Sequence, residues 1–160
     1  MSQPEATRAP ITPAGAAALR AELDDLEGAR RRELADRIRA ARELGDLKEN
    51  AEYHIAKNDQ AHLETRIKRL RTRLADAVVI EASSDDESFA FGRRAEVIDE
   101  ASGKAHRWTL VGSTEADLEQ GRLSIESPVG RALVSRRVGE TVTIDAPGGA
   151  RRFRIERLLD

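Results

Sequence analysis

The chain has 160 residues, 27 of them Lys or Arg and 29 Asp or Glu, for a formal net charge of −2. That length allows one ordinary domain or two small ones, and the near-neutral charge argues against free binding of DNA or RNA through bulk charge. There is no Cys, which excludes disulfides and thiolate metal sites; charged residues at 35% and aromatics at 3% favour long charged helices over a large core.

The opening MSQPEATRAPITP has no apolar h-region and is not a secretory leader. The chain contains no apolar run of about 18 residues, so no membrane span is expected and the cytoplasm is the expected compartment. Residues 1–10 are polar and Pro-containing, and a flexible terminus is expected there. Thr12-Pro13 reads as an N-cap followed by Pro at the first helical position. From there to Leu44 one face carries Leu19, Leu23, Leu26, Leu34, Ile38 and Ala41, with spacings of 4, 3, 8, 4 and 3. This is close to a heptad seam, with one polar turn near Arg30. Gly45 breaks the pattern and suits a helix C-terminus.

A second helix is expected from about Leu47 to Ala77. Leu63, Ile67, Leu70, Leu74 and Ala77 step by 4, 3, 4 and 3, a cleaner seam. Neither helix can bury its stripe alone, and the break between them is short. They are therefore expected to pair as an antiparallel hairpin over 11–78, about 45 Å long at 1.5 Å per residue and projecting into solvent.

The pattern changes at Val78-Val79-Ile80, followed by a polar linker over 83–88. Strand-like runs then occupy 89–98, 106–111, 123–125, 141–144 and 152–158, separated by turn signals such as Ala101-Ser102-Gly103-Lys104 and Pro147-Gly148-Gly149. Ser127-Pro128 opens a short helix expected to end near Gly139. Residues 79–160 thus read as a small domain of mostly antiparallel sheet with one helix, and the whole chain as α+β.

The tip between the two helices carries Asp46 and Glu49, three residues apart. One reading is structural. Asp-x-x-Glu at a helix start is a capping-box pattern, and both carboxylates favour the positive end of a helix. The other is metal handling. Mg²⁺ takes oxygen ligands, usually one or two carboxylates together with phosphates and water. Two carboxylates on an exposed tip make an incomplete site, and two-metal phosphodiester chemistry needs a second ion held from somewhere. Spacing alone does not separate the two readings.

The run Gly45-Asp46-Leu47-Lys48-Glu49-Asn50-Ala51-Glu52-Tyr53-His54 resembles the tip signature of the Gre transcript cleavage factors. Ser127-Pro128-Val129-Gly130-Arg131-Ala132-Leu133, with Val138-Gly139-Glu140 and Pro147-Gly148-Gly149, is similar to that family's C-terminal domain. The resemblance implies a coiled-coil hairpin followed by an FKBP-like domain. It implies a monomer that enters the secondary channel of bacterial RNA polymerase and stimulates cleavage of the nascent RNA 3′ end in backtracked complexes. Asp46 and Glu49 would help hold the second Mg²⁺ and position a water, with no Mg²⁺ bound by the chain alone. The factor would be a cofactor-like stimulator, not an enzyme. Asn50 and Tyr53 would support the tip. Arg42, Lys48 and Lys57 would contact RNA or polymerase, and Ser127 and Pro128 would dock on the polymerase.

The chain departs from the family pattern at Arg31-Arg32-Glu33, where relatives often have Pro, and at Gln60-Ala61-His62-Leu63, where GreA-like sequences often show Gly-Phe. The acidic pair is untouched. The competing readings are a non-cleaving Gre-like regulator that occupies the channel, and a coiled-coil holdase unrelated to transcription.

The remaining residues have bland readings. Arg66, Lys68, Arg69, Arg71 and Arg73 form a basic run expected to be a solvated flank. His54, His62 and His106 are too scattered for a metal set. Trp108 and Phe153 are expected in the C-terminal core, leaving few aromatics for a prolyl-isomerase pocket.

Overall fold

The computed structural model describes residues 8–83 and 87–159. Residues 1–7, and 84–86 of the expected polar linker, lie outside the described residues. Among the described residues the chain divides into two compact units, Ala16–Ala77 and a second that joins residues 8–15 to those from Val78 onward. No helix among the described residues is long and apolar enough to cross a membrane.

The first unit is a helical hairpin. Its leading arm is α1 (Pro13–Asp25), a π-helical segment (Leu26–Arg30) and α2 (Arg31–Arg42). The π segment explains the spacing of 8 in the seam. A heptad repeat leaves one residue too many between Leu26 and Leu34, and a turn closed by wider i→i+5 bonds holds that residue without rotating the face. Leu34, Ile38 and Ala41 are accordingly buried. The returning arm, α3 (Ala51–Asp76), buries Ala56, Ile67 and Leu70. It has 26 residues, so it runs about 39 Å. Outside the seam the arms are tied by Arg66 to Glu22 at 2.7 Å, Arg71 to Glu27 at 2.6 Å, Arg31 to Glu64 at 2.8 Å and Arg37 to Asp59 at 3.1 Å. Part of the basic run is therefore paired across the hairpin. Such exposed pairs contribute about 0–1 kcal/mol each, and they fix register more than they stabilise. The Arg31 guanidinium hydrogen-bonded to it holds the Glu64 carboxyl below the ordinary carboxylate range.

The second unit begins earlier than expected. Ala9–Ile11 is a strand, β1, paired with β2 (Ala77–Val79) in a two-stranded sheet. Ala9 and Pro10, expected in the flexible terminus, are therefore part of a strand. Packing explains this: Ile11 is buried, and Gly112, lacking a side chain, admits the Pro10 carbonyl where a Cβ would lie only 2.1 Å away. Thr12 caps α1 as expected, its hydroxyl oxygen accepting from Gly15 N at 3.0 Å. Its own N–H donates to Glu115 at 3.0 Å.

The expected strand over 89–98 is two strands. β3 (Ser88–Phe89) pairs with β7 (Arg136–Arg137), and β4 (Arg94–Asp99) enters the main sheet. Gly92, at φ 82°, turns the chain between them. The main sheet is ordered β6-β5-β4-β9-β8, with β5 Ala105–Val111, β6 Arg122–Ser124, β8 Thr141–Ala146 and β9 Gly149–Leu158. It is mostly antiparallel, as expected, with one parallel pair, β5 and β6. A tight turn cannot join parallel neighbours. The chain returns through residues 112–121, which include a 3-10 turn, Leu118–Gln120, capped by Asp117.

One face of the sheet carries the core: Val97, Trp108, Leu110, Leu123, Phe153 and Ile155, closed by Phe89 from β3 and Leu133 from α4 (Pro128–Leu133). Each such side chain contributes about 1.5–3 kcal/mol on burial. Trp108 and Phe153 lie in this core, as expected. α4 ends at Leu133, not near Gly139. Ser135 takes φ 65°, a left-handed conformation that ends a helix, and β7 follows.

Candidate functional site: the hairpin tip

The two arms meet through residues 43–50. α2 ends at Arg42, and the last turn closes with Leu44 N donating to Ala41 O at 3.2 Å and Gly45 N to Arg42 O at 3.4 Å. Gly45 has φ 112°, a backbone region open to Gly and strained for other residues.

α3 starts at Ala51, four residues later than expected. Its N-cap is Asn50, whose Oδ1 accepts from Tyr53 N at 3.1 Å. The same side chain reaches back, Nδ2 donating to Ala41 O at 2.6 Å. Asn50 thus satisfies a free donor of α3 and adds a side-chain bond to a carbonyl in the last turn of α2. A carboxylate accepts only and could not do both. The capping-box expectation for Asp46 and Glu49 is therefore overturned. Both residues lie in the loop before the helix, and neither contributes to its cap.

That leaves the acidic pair largely uncommitted. Asp46 Oδ1 accepts from Lys48 N at 3.0 Å, a local turn within the loop. Glu49 has no hydrogen-bond or ion-pair partner among the described residues, and both side chains are exposed. No cluster of three or more potential metal ligands occurs among the described residues.

The flanking residues are partly committed. The Arg42 guanidinium lies 5.8 Å from the Tyr53 ring centroid, a cation–π contact worth about 0.5–1 kcal/mol at an exposed site. Lys57 Nζ donates to Gln60 Oε1 at 3.0 Å. The Lys48 ammonium has no partner among the described residues. Arg42, Asp46, Lys48, Glu49, Asn50 and Tyr53 thus gather at one end of the first unit, with Lys57 further along α3. Ser127 and Pro128 belong to the second unit. There Ser127 Oγ accepts from Gly130 N at 3.0 Å and donates to Ser124 O at 2.7 Å, with Pro128 at the first position of α4.

Sequence reasoning missed two features of the tip. His54 Nε2 lies 3.2 Å from Lys48 O and its ring is edge-on to Tyr53. Leu44, Leu47 and Ile55 are exposed at 67%, 41% and 57%. Leu44 and Ile55 line a shallow groove with Ala40, Ala41, Ala56, Arg37 and Glu52. The apolar residues carried a signal, since none of the three belongs to either seam.

The chain is thus of the class that joins a helical hairpin, its closed end carrying two exposed carboxylates, to a small mixed-sheet unit that follows in sequence. Residues 9–79 match the model of the transcription elongation factor N-terminal domain of GreA and GreB, and residues 83–159 match that of the GreA/GreB C-terminal domain. The chain belongs to the GreA/GreB family of transcription elongation factors. It is 42% identical to transcription elongation factor GreA of Bradyrhizobium diazoefficiens, over 94% of this chain and 97% of that protein. With GreA of Roseiflexus sp. it shares 43% identity over 91% and 93% of the two chains. Among solved structures, GreA factor homolog 1 of Thermus thermophilus is 28% identical, covering 94% of this chain and 98% of that one, at a TM-score of 0.41.

Proposed function

We propose that this elongation factor stimulates the transcript cleavage activity of bacterial RNA polymerase, with Asp46 and Glu49 completing the polymerase's active site from within its secondary channel. One observation carries the reading: Asn50 caps α3, which leaves both tip carboxylates exposed and available to a partner. The donor set supports a shared Mg²⁺ site. Two carboxylates are suitable oxygen ligands, and Mg²⁺ commonly completes its shell with phosphates and water. In such a site the ion would stabilise charge on the reacting phosphate and favour ionisation of an attacking water.

The chain's own residues then have distinct tasks. Asp46 and Glu49 hold the ion and orient water. Asn50 and Tyr53 keep the loop closed. Lys48 and Arg42, and Lys57 further along α3, meet phosphates of the nascent RNA 3′ end or acidic groups of the polymerase, positioning without reading sequence. Ser127 and Pro128 form the docking corner of the second unit. The protein works as a cytoplasmic monomer and cuts nothing without polymerase.

The test is to stall polymerase in a backtracked state, add the protein and follow release of 3′ RNA fragments. Asp46→Asn and Glu49→Gln should each slow release by about 100-fold or more, the cost of removing one charge-stabilising group from a reaction centre, while still binding polymerase. Variants that cut as fast as the wild type would overturn the assignment. Slowed elongation with no fragments from the wild type would replace it with a channel-occupying inhibitor.

A further inference from the structure

We propose that His54 is a positioning residue for the acidic pair, an inference that rests on the cleavage reading above. Asn50 closes the two ends of the tip loop, but Asp46 and Glu49 lie inside it. The Asp46 contact to Lys48 N is internal to the loop and cannot anchor it to a helix. Among the described residues, one side-chain bond runs from α3 to residues 46–49, and it is His54 Nε2 to Lys48 O at 3.2 Å. A carbonyl can only accept, so the ring donates through Nε2–H.

The ring itself is held. It meets the Tyr53 ring edge-on at 5.7 Å and 65°, and Tyr53 in turn lies against the Arg42 guanidinium at the end of α2. Lys48 is therefore gripped on two sides. Its N–H is bound to the Asp46 carboxylate and its carbonyl to His54. Asp46 precedes this residue by two and Glu49 follows it directly, so the grip sets the direction of both carboxylates. An Asp and Glu on an eight-residue loop would otherwise sample many orientations, and positional errors near 1 Å are enough to cost a reaction on the order of 100-fold.

Three variants separate this role from simple stability. His54→Phe keeps a ring against Tyr53 and removes the donor. His54→Gln offers an amide N–H to the same carbonyl. His54→Ala removes both. Fragment release from backtracked complexes is measured across a Mg²⁺ titration, with polymerase binding measured in parallel. His54→Phe and His54→Ala should require about tenfold more Mg²⁺ for half-maximal cleavage, the equivalent of one net hydrogen bond, with binding unchanged. His54→Gln should stay within roughly twofold of wild type, the residue of a bond kept in altered geometry. Wild-type Mg²⁺ dependence in His54→Phe and His54→Ala, or a loss in His54→Gln equal to that in His54→Phe, would overturn the proposal. A second readout needs no polymerase. Backbone amide relaxation of residues 46–49 in the free protein should report an ordered loop in wild type and a loosened one in His54→Phe, and equal order in both overturns the role of His54. If wild type releases no fragments, it is the cleavage reading that fails, and the relaxation comparison still decides on His54.

Discussion

Replacing Asn50 with Ala should destabilise the hairpin through two separable losses. The first is the N-cap bond to Tyr53 N at 3.1 Å, and removal of an Asn cap costs about 1 kcal/mol. The second is the 2.6 Å bond from Nδ2 to Ala41 O, with a net value of about 1 kcal/mol. Together they predict a loss of about 2 kcal/mol for Asn50→Ala. Asn50→Ser keeps a good capping oxygen but is too short to reach Ala41, so it should lose only about 1 kcal/mol. Urea unfolding followed by circular dichroism at the helix band reads both values. Surface substitutions without such bonds usually fall within about 0.5 kcal/mol of wild type. If Asn50→Ala falls in that range, or if Ser and Ala are equally destabilising, the account of Asn50 as a clasp between the two arms is wrong.

Deleting Gly28 should convert the π segment to regular helix and leave Leu19, Leu23 and Leu26 in phase with Leu34, Ile38 and Ala41; helix content and melting should change little, whereas deleting Asp36 turns the seam by about 100° per residue and should abolish the hairpin. A π segment that tolerates neither deletion has some other cause. Asp99, buried on the core face, has its carboxyl held below the ordinary carboxylate range by the Arg151 guanidinium, which donates at 2.7 Å, and by Ala101 N. Its folded-state value is depressed, so its contribution is present above the ordinary carboxylate range and is lost as pH falls through the folded-state value. The stability gap between wild type and Asp99→Asn should therefore shrink across that acid window, and a gap independent of pH would contradict the pairing.

The hairpin was legible because its information is periodic. Apolar residues at heptad spacing name the buried face of each arm, and a short break between two such arms leaves antiparallel pairing as the simple way to cover both. Thr12-Pro13 and Ser127-Pro128 were legible for a similar reason, since a cap is a contact among neighbours in sequence. The same locality failed at the tip. Asp46, Glu49 and Asn50 are all acceptable near a helix start, and sequence-local rules rank them nearly alike. What decided in favour of Asn50 was the Ala41 carbonyl, nine residues back, which only the folded turn brings within reach and only a side chain that both donates and accepts can use.

Long-range geometry decided the other differences as well. β1 forms because β2 and the side-chain-free Gly112 are there to receive it. β6 runs parallel to β5 because the intervening loop carries the chain back to the start of that strand, and strand direction leaves no mark on an apolar run of three residues. The chain by itself determined the face on which each arm meets the other, and that an acidic pair stands between the arms. Only the tertiary structure decided that this pair is free of the helix cap, because freedom depends on which other group satisfies the backbone, and that group is supplied across the turn.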